Sequence, residues 1–270
     1  MGKKGKISAQ NASKAGQRPW TATVLTLFKD AFPGVLDTSI IGGAQKSGIW
    51  ALELVDIRDF SSNRHRTVDD TPAGGGPGMV IKPDIAGRAI DSVACSEPHS
   101  DEDLAGRPLI YLTPRGKPLT QKRVKELATG KGVIVFCGRF EGLDQRVIEA
   151  RQMEEISIGD FVLAGGEVAA QALIESCVRL LPGVLGDEQS TTEESFEDGL
   201  LEYPLYTKPR DWIDKEDKRS IPDVLVSGDH GKIADWRQAQ QEKITRERRP
   251  DLWNLYLETA NQNGDGHECD

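Results

Sequence analysis

Residues 157–167 read Ser-Ile-Gly-Asp-Phe-Val-Leu-Ala-Gly-Gly-Glu, a glycine-rich loop that follows a predicted strand and precedes a predicted helix. Its glycines bracket a short apolar run. Glycine permits backbone conformations with positive φ and a close approach of the main chain to a ligand. A helix N-terminus adds unpaired N–H groups. The loop therefore fits a small-molecule site, and it fits an ordinary strand–turn–helix joint equally well.

The segments on either side of this loop alternate between strands and helices. The predicted strands are Thr21–Phe28, Ile49–Ile57, Leu109–Leu112, Gly132–Cys137 and Glu154–Ile158. The predicted helices are Gln121–Ala128, Asp144–Ala150 and Glu167–Leu181, the last closed by Pro182-Gly183. Short apolar strands that alternate with helices indicate an α/β fold with a mainly parallel sheet.

Three loops follow consecutive predicted strands, at Thr113–Gly116, Gly138–Gly142 and Ser157–Gly166. Open α/β sheets bind ligands beyond the carboxyl ends of their strands, so the three loops predict a small-molecule pocket. Their spacing fits neither the dinucleotide-binding nor the phosphate-binding glycine motif, which disfavours those two ligand classes. The cluster Gly74–Gly78 fails the same test, and a flexible turn explains it as well.

The formal net charge of −9 argues against a nucleic-acid partner, but the charges are unevenly placed. Residues 1–18 carry five basic and no acidic residues, whereas residues 187–202 carry seven acidic and no basic residues. Another basic group spans residues 243–249. Phosphate contact depends on the local field rather than on the total charge. The acidic total therefore does not exclude an RNA ligand.

The cysteine pattern and the lack of long apolar runs disfavour some other classes of protein. The four cysteines are widely spread and form no CxxC pair, which favours reduced thiols in a cytoplasm over a disulfide scaffold or a zinc site. No apolar run approaches the roughly 18 residues of a membrane span, and the N-terminus lacks the apolar block of a signal peptide. We therefore expect a cytoplasmic protein without a membrane partner.

Composition divides the chain into five predicted parts. They are a disordered tail (1–19), an α/β domain (20–186), a flexible acidic linker (187–202), a small helical domain (203–258) and a second tail (259–270). The helices of the small domain are predicted at Ile233–Ile244 and Pro250–Leu257.

Six motifs in a fixed order then identify a family. They are Arg64-His65-Arg66-Thr67-Val68-Asp69-Asp70, Gly74-Gly75-Gly76-Pro77-Gly78-Met79, Cys137-Gly138-Arg139-Phe140-Glu141-Gly142, Ser157-Ile158-Gly159-Asp160, Pro182-Gly183-Val184-Leu185-Gly186 and Ser227-Gly228-Asp229-His230. Together they resemble the bacterial tRNA (guanine-N1)-methyltransferase family (TrmD) of the SPOUT superfamily. The resemblance extends from about Trp20 to Leu252, and long motifs in a fixed order are more specific than one short pattern.

The resemblance implies a SPOUT-type parallel sheet with a deep trefoil knot in residues 20–186 and a tRNA-binding helical C-terminal domain. It also implies methylation of N1 of the guanosine immediately 3′ of the tRNA anticodon, with S-adenosylmethionine as the methyl donor. Family members are homodimers with each active site at the subunit interface. The knot rests on the resemblance alone, because ordinary connection rules exclude knots. A dependence on Mg²⁺ is implied too, although no ligand set is visible.

The resemblance also assigns residues to the site. The methyl-donor residues would be Tyr111, Leu112, Pro114, Gly138, Phe140, Glu141, Gly142, Ser157, Ile158, Gly159, Asp160, Phe161, Val162, Leu163, Gly165 and Gly166. The RNA-binding residues would include Arg58, Arg64, Arg66, Ser227, His230 and Arg237. Basic surface residues are often only solvated, so composition alone does not separate these two roles.

Two residues would carry the chemistry. Guanine N1 bears a proton that a general base must remove, and negative charge that spreads to O6 calls for a cation. By resemblance, Arg179 near the end of helix 167–181 is the cation and Glu194 is the base. Arg179 also fits a plain C-terminal helix cation, and Glu194 also fits a solvated linker.

Some positions depart from the family pattern. Glu194 stands where the family has aspartate, which keeps the carboxylate but adds one methylene. Phe140 and Phe161 stand where tyrosine is usual, and Ala169 replaces a proline. Two alternatives therefore stay open: a SPOUT-type methyltransferase that acts on another RNA base, and a non-catalytic tRNA-binding module whose donor pocket has decayed.

Overall fold

The computed structural model describes residues 18–94, 107–185, 195–196 and 199–264. The chain divides into two compact units, Met1–Gly186 and Asp187–Asp270, and each is described by itself. Within the described ranges, no helix has both the length and the apolar character to cross a membrane.

The first unit is built on a five-stranded sheet. The unit as a whole contains seven strands in its described residues: β1 (Trp20–Thr26), β2 (Trp50–Asp56), β3 (Asp69–Asp70), β4 (Val80–Ile81), β5 (Leu109–Pro118), β6 (Gly132–Phe136) and β7 (Glu154–Ser157). The large sheet has the order β2-β1-β6-β5-β7, and every neighbouring pair in it is parallel. Strands β3 and β4 form a separate antiparallel pair. The prediction of an α/β fold with a mainly parallel sheet is confirmed.

Apolar cores lie on both faces of this sheet. Along β6, Val133 and Val135 belong to one core and Ile134 and Phe136 to the other, as the two-residue period of a strand requires. The helices are α1 (Ser39–Lys46), α2 (Pro83–Ala94), α3 (Gln121–Thr129), α4 (Gln145–Ala150) and α5 (Glu167–Val178). Helices α1, α3 and α5 cover the first face and α2 and α4 the second, which explains why the central strands are apolar throughout.

Two predicted boundaries in this unit were wrong by three residues or more. Strand β5 does not stop at Leu112. It pairs with Ile156 of β7 at Leu112 and again at Lys117, so residues 113–116 loop out between two paired segments. The chain can pair with β7 a second time because Gly116, which lies against the backbone of β7, has no Cβ. A Cβ at this position would stand 2.4 Å from the nitrogen of Ile156.

The end of α5 also differs from the prediction. The helix ends at Val178, and Arg179 is its C-cap rather than an interior residue of a helix that runs to Leu181. The amides of Leu180 and Leu181 donate to carbonyls three residues back, which is the tighter hydrogen-bond pattern common in a final helical turn.

The second unit contains a hairpin and two helices. Strands β8 (Asp211–Asp214) and β9 (Asp217–Ser220) are antiparallel, and helices α6 (His230–Arg248) and α7 (Pro250–Gly264) follow. The hairpin was not predicted, because its charged residues hide the alternation that marks a strand. Helix α6 is longer than predicted and begins after Asp229, whose side chain accepts the amide of Lys232. Helix α7 runs past residue 258, where the C-terminal tail was expected to begin.

The last residues of the predicted linker are fixed within the second unit. Leu200 is buried, and the Leu201 amide donates to Thr245 Oγ1 on α6 at 2.8 Å. The Glu202 amide donates to Ser195 Oγ at 3.0 Å. These contacts join the final residues of the predicted linker to the second unit, and the flexibility of the segment 187–202 stays a prediction. Residues 186–194 and 197–198 lie outside the described residues, as do 1–17 and 265–270.

Two adjacent glycines of α1 give a matched test of this packing. A Cβ on Gly42 would lie 2.2 Å from the carbonyl oxygen of Asp37, whereas a Cβ on Gly43 would meet nothing within 4 Å. We expect Gly42→Ala to lower the free energy of unfolding by about 1–3 kcal/mol, and Gly43→Ala to raise it by about 0.5–1 kcal/mol because alanine favours the helix. Urea denaturation measures both, and equal effects would contradict the packing described.

Candidate active site

The three predicted loops meet at the carboxyl edge of the sheet, since β6, β5 and β7 are consecutive in its order. The loop after β6 and the loop after β7 are joined directly. The Gly166 amide donates to the carbonyl oxygen of Gly138 at 2.9 Å, and Arg139 and Gly165 form an isolated antiparallel bridge. The structure therefore brings together two chain segments that the sequence only suggested were close.

This contact between loops requires the two glycines. A Cβ on Gly165 would lie 2.1 Å from Arg139 Nε, and a Cβ on Gly166 would lie 2.9 Å from the Cα of Cys137. Real Cβ atoms do not approach other atoms so closely. Gly165 and Gly166 are thus required by the packing of the protein itself, whatever ligand the loops hold.

Tyr111, in the first paired segment of β5, lies directly against the loop after β6. Its side chain is buried, and its hydroxyl accepts the amide of Leu143 at 3.2 Å. A Cβ on Gly138 would lie 2.9 Å from the Tyr111 ring, and one on Gly142 would lie 2.8 Å from its hydroxyl. Burial raises the pKa of Tyr111, so the phenol is neutral at physiological pH. Tyr111 therefore forms a wall beneath the loop, whereas its buried neighbour Leu112 packs in the core on the opposite face of the sheet.

The glycine cluster at residues 74–78 lies next to the same loop. A Cβ on Gly78 would lie 2.2 Å from Glu141 Oε1, and Gly78 has a φ of +88°. The Glu141 amide donates to the carbonyl of Met79 at 2.9 Å, and the Ile81 amide donates to that of Gly142 at 2.9 Å. The cluster is therefore more than a turn, because its last residue, Gly78, has no Cβ and so leaves room for the side chain of Glu141.

The loop after β7 exposes apolar side chains. Ser157 Oγ and Gly159 exchange hydrogen bonds, and the Phe161 amide donates to the carbonyl of Gly159 at 3.0 Å. Beyond this turn Phe161, Val162 and Leu163 are 53%, 85% and 37% exposed, and Phe140 of the neighbouring loop is 53% exposed. An apolar surface of this kind fits a flat, partly apolar ligand or a second protein chain.

The remaining residues predicted for the donor site lie on or near these segments. Pro114 is exposed on the loop between the two paired parts of β5, Asp160 is exposed, and Ile158 is half-buried and packs against the first core.

A buried ion pair that the sequence did not reveal joins the two loops. The Arg139 Nη2 lies 2.8 Å from Glu167 Oε2, and Glu167 is 3% exposed. Thr26 Oγ1, at the end of β1, donates to Glu167 Oε1 at 2.8 Å. Sequence reasoning missed this pair because an acid in the first turn of a helix already has an explanation in the helix dipole. The available signal was Glu167 itself, an acid that directly follows Gly-Gly at the start of an otherwise apolar helix.

The structure does not bring Arg179 to the loops of its own chain. Gly166 is the N-cap of α5 and Arg179 its C-cap, so a helix of 12 residues separates them. At about 1.5 Å per residue the separation is about 18 Å, which exceeds the reach of an arginine side chain. Arg179 is half-buried. Glu194 lies outside the described residues.

The predicted RNA-binding arginines of the first unit cluster near the end of β2. Arg58 donates from Nη1 to the carbonyl of Leu27, and its guanidinium lies 5.4 Å from the centre of the Phe28 ring. Arg66 pairs with Asp59. Arg64 is exposed, and among the described residues no hydrogen bond or ion pair involves its side chain. Of the three, Arg64 is the least engaged by the protein.

The predicted RNA-binding residues of the second unit surround the start of α6. Ser227 Oγ accepts the amide of Asp229 at 3.1 Å, and the exposed His230 is the first residue of the helix. Arg237 is half-buried, with its guanidinium 4.7 Å from the centre of the Tyr203 ring.

Thiol chemistry and a metal centre find no support in the described part of the chain. Cys137 and Cys177 are buried, and burial raises both thiol pKa values, that of Cys177 to about 12. Neither is a nucleophile at neutral pH. Among the described residues, no three His, Cys, Asp or Glu side chains group closely enough to hold a metal ion.

Comparisons with known proteins agree with one another. The family model described as "tRNA (Guanine-1)-methyltransferase TrmD" matches residues 21–255. A "tRNA (guanine-N(1)-)-methyltransferase" of Rhodopseudomonas palustris (strain ATCC BAA-98 / CGA009) is 58% identical over 87% of this chain and 90% of its own length. Proteins of the same name from Nitrobacter winogradskyi and Jannaschia sp. are 57% and 56% identical, each over 87% of this chain and 93% of their own length.

The hydroxyl of Tyr111 gives a test of the wall beneath the loop. Tyr111→Phe leaves the buried amide of Leu143 without its acceptor, so we expect the free energy of unfolding at pH 7 to fall by about 1–3 kcal/mol. Tyr206→Phe is the control because Tyr206 is 48% exposed, and we expect a change within about 0.5 kcal/mol.

The pH dependence of the same variant follows from the raised pKa of Tyr111. A pKa above the unfolded value of about 10 means that the phenol stabilises the fold fully below pH 10, and that this contribution is lost as the pH rises through the folded pKa. Urea denaturation should therefore give a constant difference between wild type and Tyr111→Phe from about pH 7 to 9, and a smaller one above pH 10. A difference that grows above pH 10 would contradict this assignment.

Proposed function

Because this chain belongs to the tRNA (guanine-1)-methyltransferase family, we propose that it transfers a methyl group from S-adenosylmethionine to N1 of the guanosine immediately 3′ of the tRNA anticodon, position 37. The observation that carries the proposal is the hydrogen-bonded contact between Gly138 and Gly166 at the carboxyl edge of the sheet. It joins two loops that bear most of the residues the family resemblance assigns to the donor site.

The residues at this edge fit the proposed donor. Phe140, Phe161 and Leu163 offer exposed apolar surface for an adenine ring, and the backbone of residues 138–142 and 158–166 offers polar groups beside it. Glu141 is an exposed carboxylate that would balance a positive sulfur. Bound S-adenosylmethionine would supply an electrophilic methyl group on that sulfur. Tyr111 would support the loop 138–142 that carries these groups, because its ring and hydroxyl lie directly against Gly138 and Gly142, and Leu112 would contribute from the core on the opposite face of the sheet.

Two side chains would act on the guanine. The carboxylate of Glu194 would accept the N1 proton as the new carbon–nitrogen bond forms. The guanidinium of Arg179 would stabilise the negative charge that develops at O6. Exclusion of water from this contact would strengthen the second effect, since charges interact more strongly at low dielectric.

We further propose that two chains build each active site. The support is the separation of about 18 Å along α5 between the N-cap Gly166 and Arg179, which one side chain does not bridge. In a homodimer, Arg179 of one protomer would serve the donor loops of its partner. The exposed apolar residues Phe161 to Leu163 and Val168 would then be covered in part by the second protomer.

The family resemblance supports two finer proposals about architecture. Residues 20–186 would contain the deep trefoil knot that the resemblance implies. Residues from 203 onward, including α6, would bind the tRNA through Ser227, His230 and Arg237, and the arginines near the end of β2 would add contacts to phosphates. The acidic segment at 187–202 would carry Glu194 between these two parts.

The direct test is a methyl-transfer assay with unmodified tRNA transcripts that carry guanosine or adenosine immediately 3′ of the anticodon. We expect methylation of the guanosine transcript alone, and mass spectrometry of the nucleosides should identify 1-methylguanosine. Equal methylation of both transcripts would favour a methyltransferase of another RNA base. Binding of tRNA without any heat from S-adenosylhomocysteine in calorimetry would favour the non-catalytic module. Repeating the assay with a chelator tests the dependence on Mg²⁺.

Replacement of Arg179 tests the cation. We expect Arg179→Ala to lower the turnover number by roughly 100-fold or more, as the loss of a positioned charge stabiliser does, while affinity for S-adenosylhomocysteine stays nearly constant. Arg146→Ala is the control, since Arg146 is exposed and pairs with Asp144. Unchanged turnover in Arg179→Ala would remove this residue from the mechanism.

Replacement of Glu194 tests the base. We expect Glu194→Gln to be slower than wild type by about 100-fold or more, because positioned proton transfer contributes about that much. Glu194→Asp should be at least as fast as wild type, since it keeps the carboxylate and restores the aspartate of the family pattern. If Glu194→Gln keeps the wild-type rate, the base lies elsewhere, with Glu193 and Glu202 as the next candidates.

A further inference from the structure

We infer that Arg139 is a positioning residue, which acts by holding the two donor loops in register without touching the guanine. The inference rests on the proposed function, because it assigns Arg139 to the methyl-donor side of that site. Arg139 stands between Gly138 and Phe140 in the loop after β6, and its contacts reach the loop after β7, the first residue of helix α5, and Phe28 just after strand β1.

The guanidinium of Arg139 is held to the other loop by several contacts. Its Nε and Nη2 both lie within 3 Å of Glu167 Oε2, at 2.9 and 2.8 Å. Its Nη1 donates to the carbonyl of Ala164 at 3.3 Å. One planar group thus binds both the first residue of α5 and the loop that leads into it. A displacement of either loop would break contacts of the same side chain.

Glu167 in turn attaches this pair to the sheet. Its second carboxylate oxygen accepts from Thr26 Oγ1 at the end of β1. Thr26 Oγ1 accepts the amide of Phe28 at 2.9 Å, and the ring of Phe28 lies 4.3 Å from the guanidinium carbon of Arg139. The chain of contacts is closed, because it leaves Arg139 and returns to it through Glu167, Thr26 and Phe28. The loops are therefore fixed to the sheet as well as to each other.

The chemistry of the pair demands arginine at this position. Lysine has a single nitrogen and cannot reproduce a planar fork that binds a carboxylate and a carbonyl at once. Both charges of the pair are already used within the protein. Arg139 is therefore not a candidate phosphate ligand, and Glu167, which is 3% exposed, is not a candidate base for the guanine proton.

A second arginine–glutamate pair of the same unit provides a control for the residue types, with an acid that is more exposed (34%, against 3% for Glu167). Arg123 on α3 donates from Nε and Nη2 to the two carboxylate oxygens of Glu154 at 2.9 and 2.6 Å. Glu154 is the first residue of β7, at the end of the strand opposite to the donor loop. The control pair shares the chemistry of Arg139 and Glu167 but lies away from the site.

The experiment compares two sets of variants. The test set is Arg139→Lys, Glu167→Gln and the double variant that combines them. The control set is Arg123→Lys, Glu154→Gln and the double variant that combines those two. Calorimetry with S-adenosylhomocysteine should show affinity reduced about 10-fold or more in the first set, because displacements near 1 Å disrupt a preorganised site. The double variant should lose about as much as either single variant, since the pair acts as a unit. The control set should bind S-adenosylhomocysteine with an affinity within about 3-fold of that of wild type. In the methylation assay, KM for the donor should rise more than KM for tRNA.

Hydrogen exchange of the ligand-free protein gives a second readout that needs no donor. Peptides that cover residues 138–142 and 158–166 should exchange faster in Arg139→Lys than in wild type or in Arg123→Lys. If Arg139→Lys does not fold, Glu167→Asp gives the same comparison, because it keeps both charges and shortens the acid by one methylene.

The outcomes separate this inference from the proposed function. Wild-type protein that gives no heat with S-adenosylhomocysteine would overturn the proposed function and this inference with it. Wild-type protein that binds S-adenosylhomocysteine, together with an Arg139→Lys variant that binds it equally and exchanges equally in both loops, would overturn this inference alone. Equal losses of affinity for S-adenosylhomocysteine in the two sets of variants would also overturn it, since the loss would then reflect lower stability of the protein as a whole.

Discussion

The close packing of the loop after β6 against the loop after β7 is the constraint on which the rest of the site depends. The backbone of Gly166 reaches the carbonyl of Gly138, and neither Gly165 nor Gly166 has space for a Cβ. Helix α5 starts at this contact, which puts its first acid, Glu167, against Arg139. The direction of α5 is then set, and with it the place of every residue along the helix up to Arg179.

Much of the fold could be predicted because apolar periodicity survives in the sequence. Strands β6 and β7 and helices α3 and α4 were predicted to within one residue at each end. The errors occurred where local pattern and tertiary contact disagree. Thr113-Pro114 has the signature of a strand end, yet β5 resumes at Lys117 because β7 pairs with it again. The charged hairpin β8–β9 has no apolar alternation, so its pairing comes from geometry that a sequence pattern does not contain.

The site was less predictable than the fold, and for a physical reason. The strand order brings together loops that the pattern already marked as rich in glycine. The family resemblance supplied residue assignments that the pattern alone did not contain, and these remain predictions. The sequence pattern did not predict the ion pair of Arg139 and Glu167, because the two residues are 28 positions apart and the charge of each has an ordinary local explanation. Only their distance identifies them as partners.

The length of α5 links the donor loops to the proposed chemistry. A rigid helix fixes Arg179 about 18 Å from Gly166, so closing the loops more tightly within one chain does not bring the cation nearer. In the proposed homodimer, a second copy of the chain would supply Arg179 without any deformation. The same second copy would cover Val162, which is 85% exposed. One dimer contact would therefore account both for the distant arginine and for the apolar surface beside the donor loops.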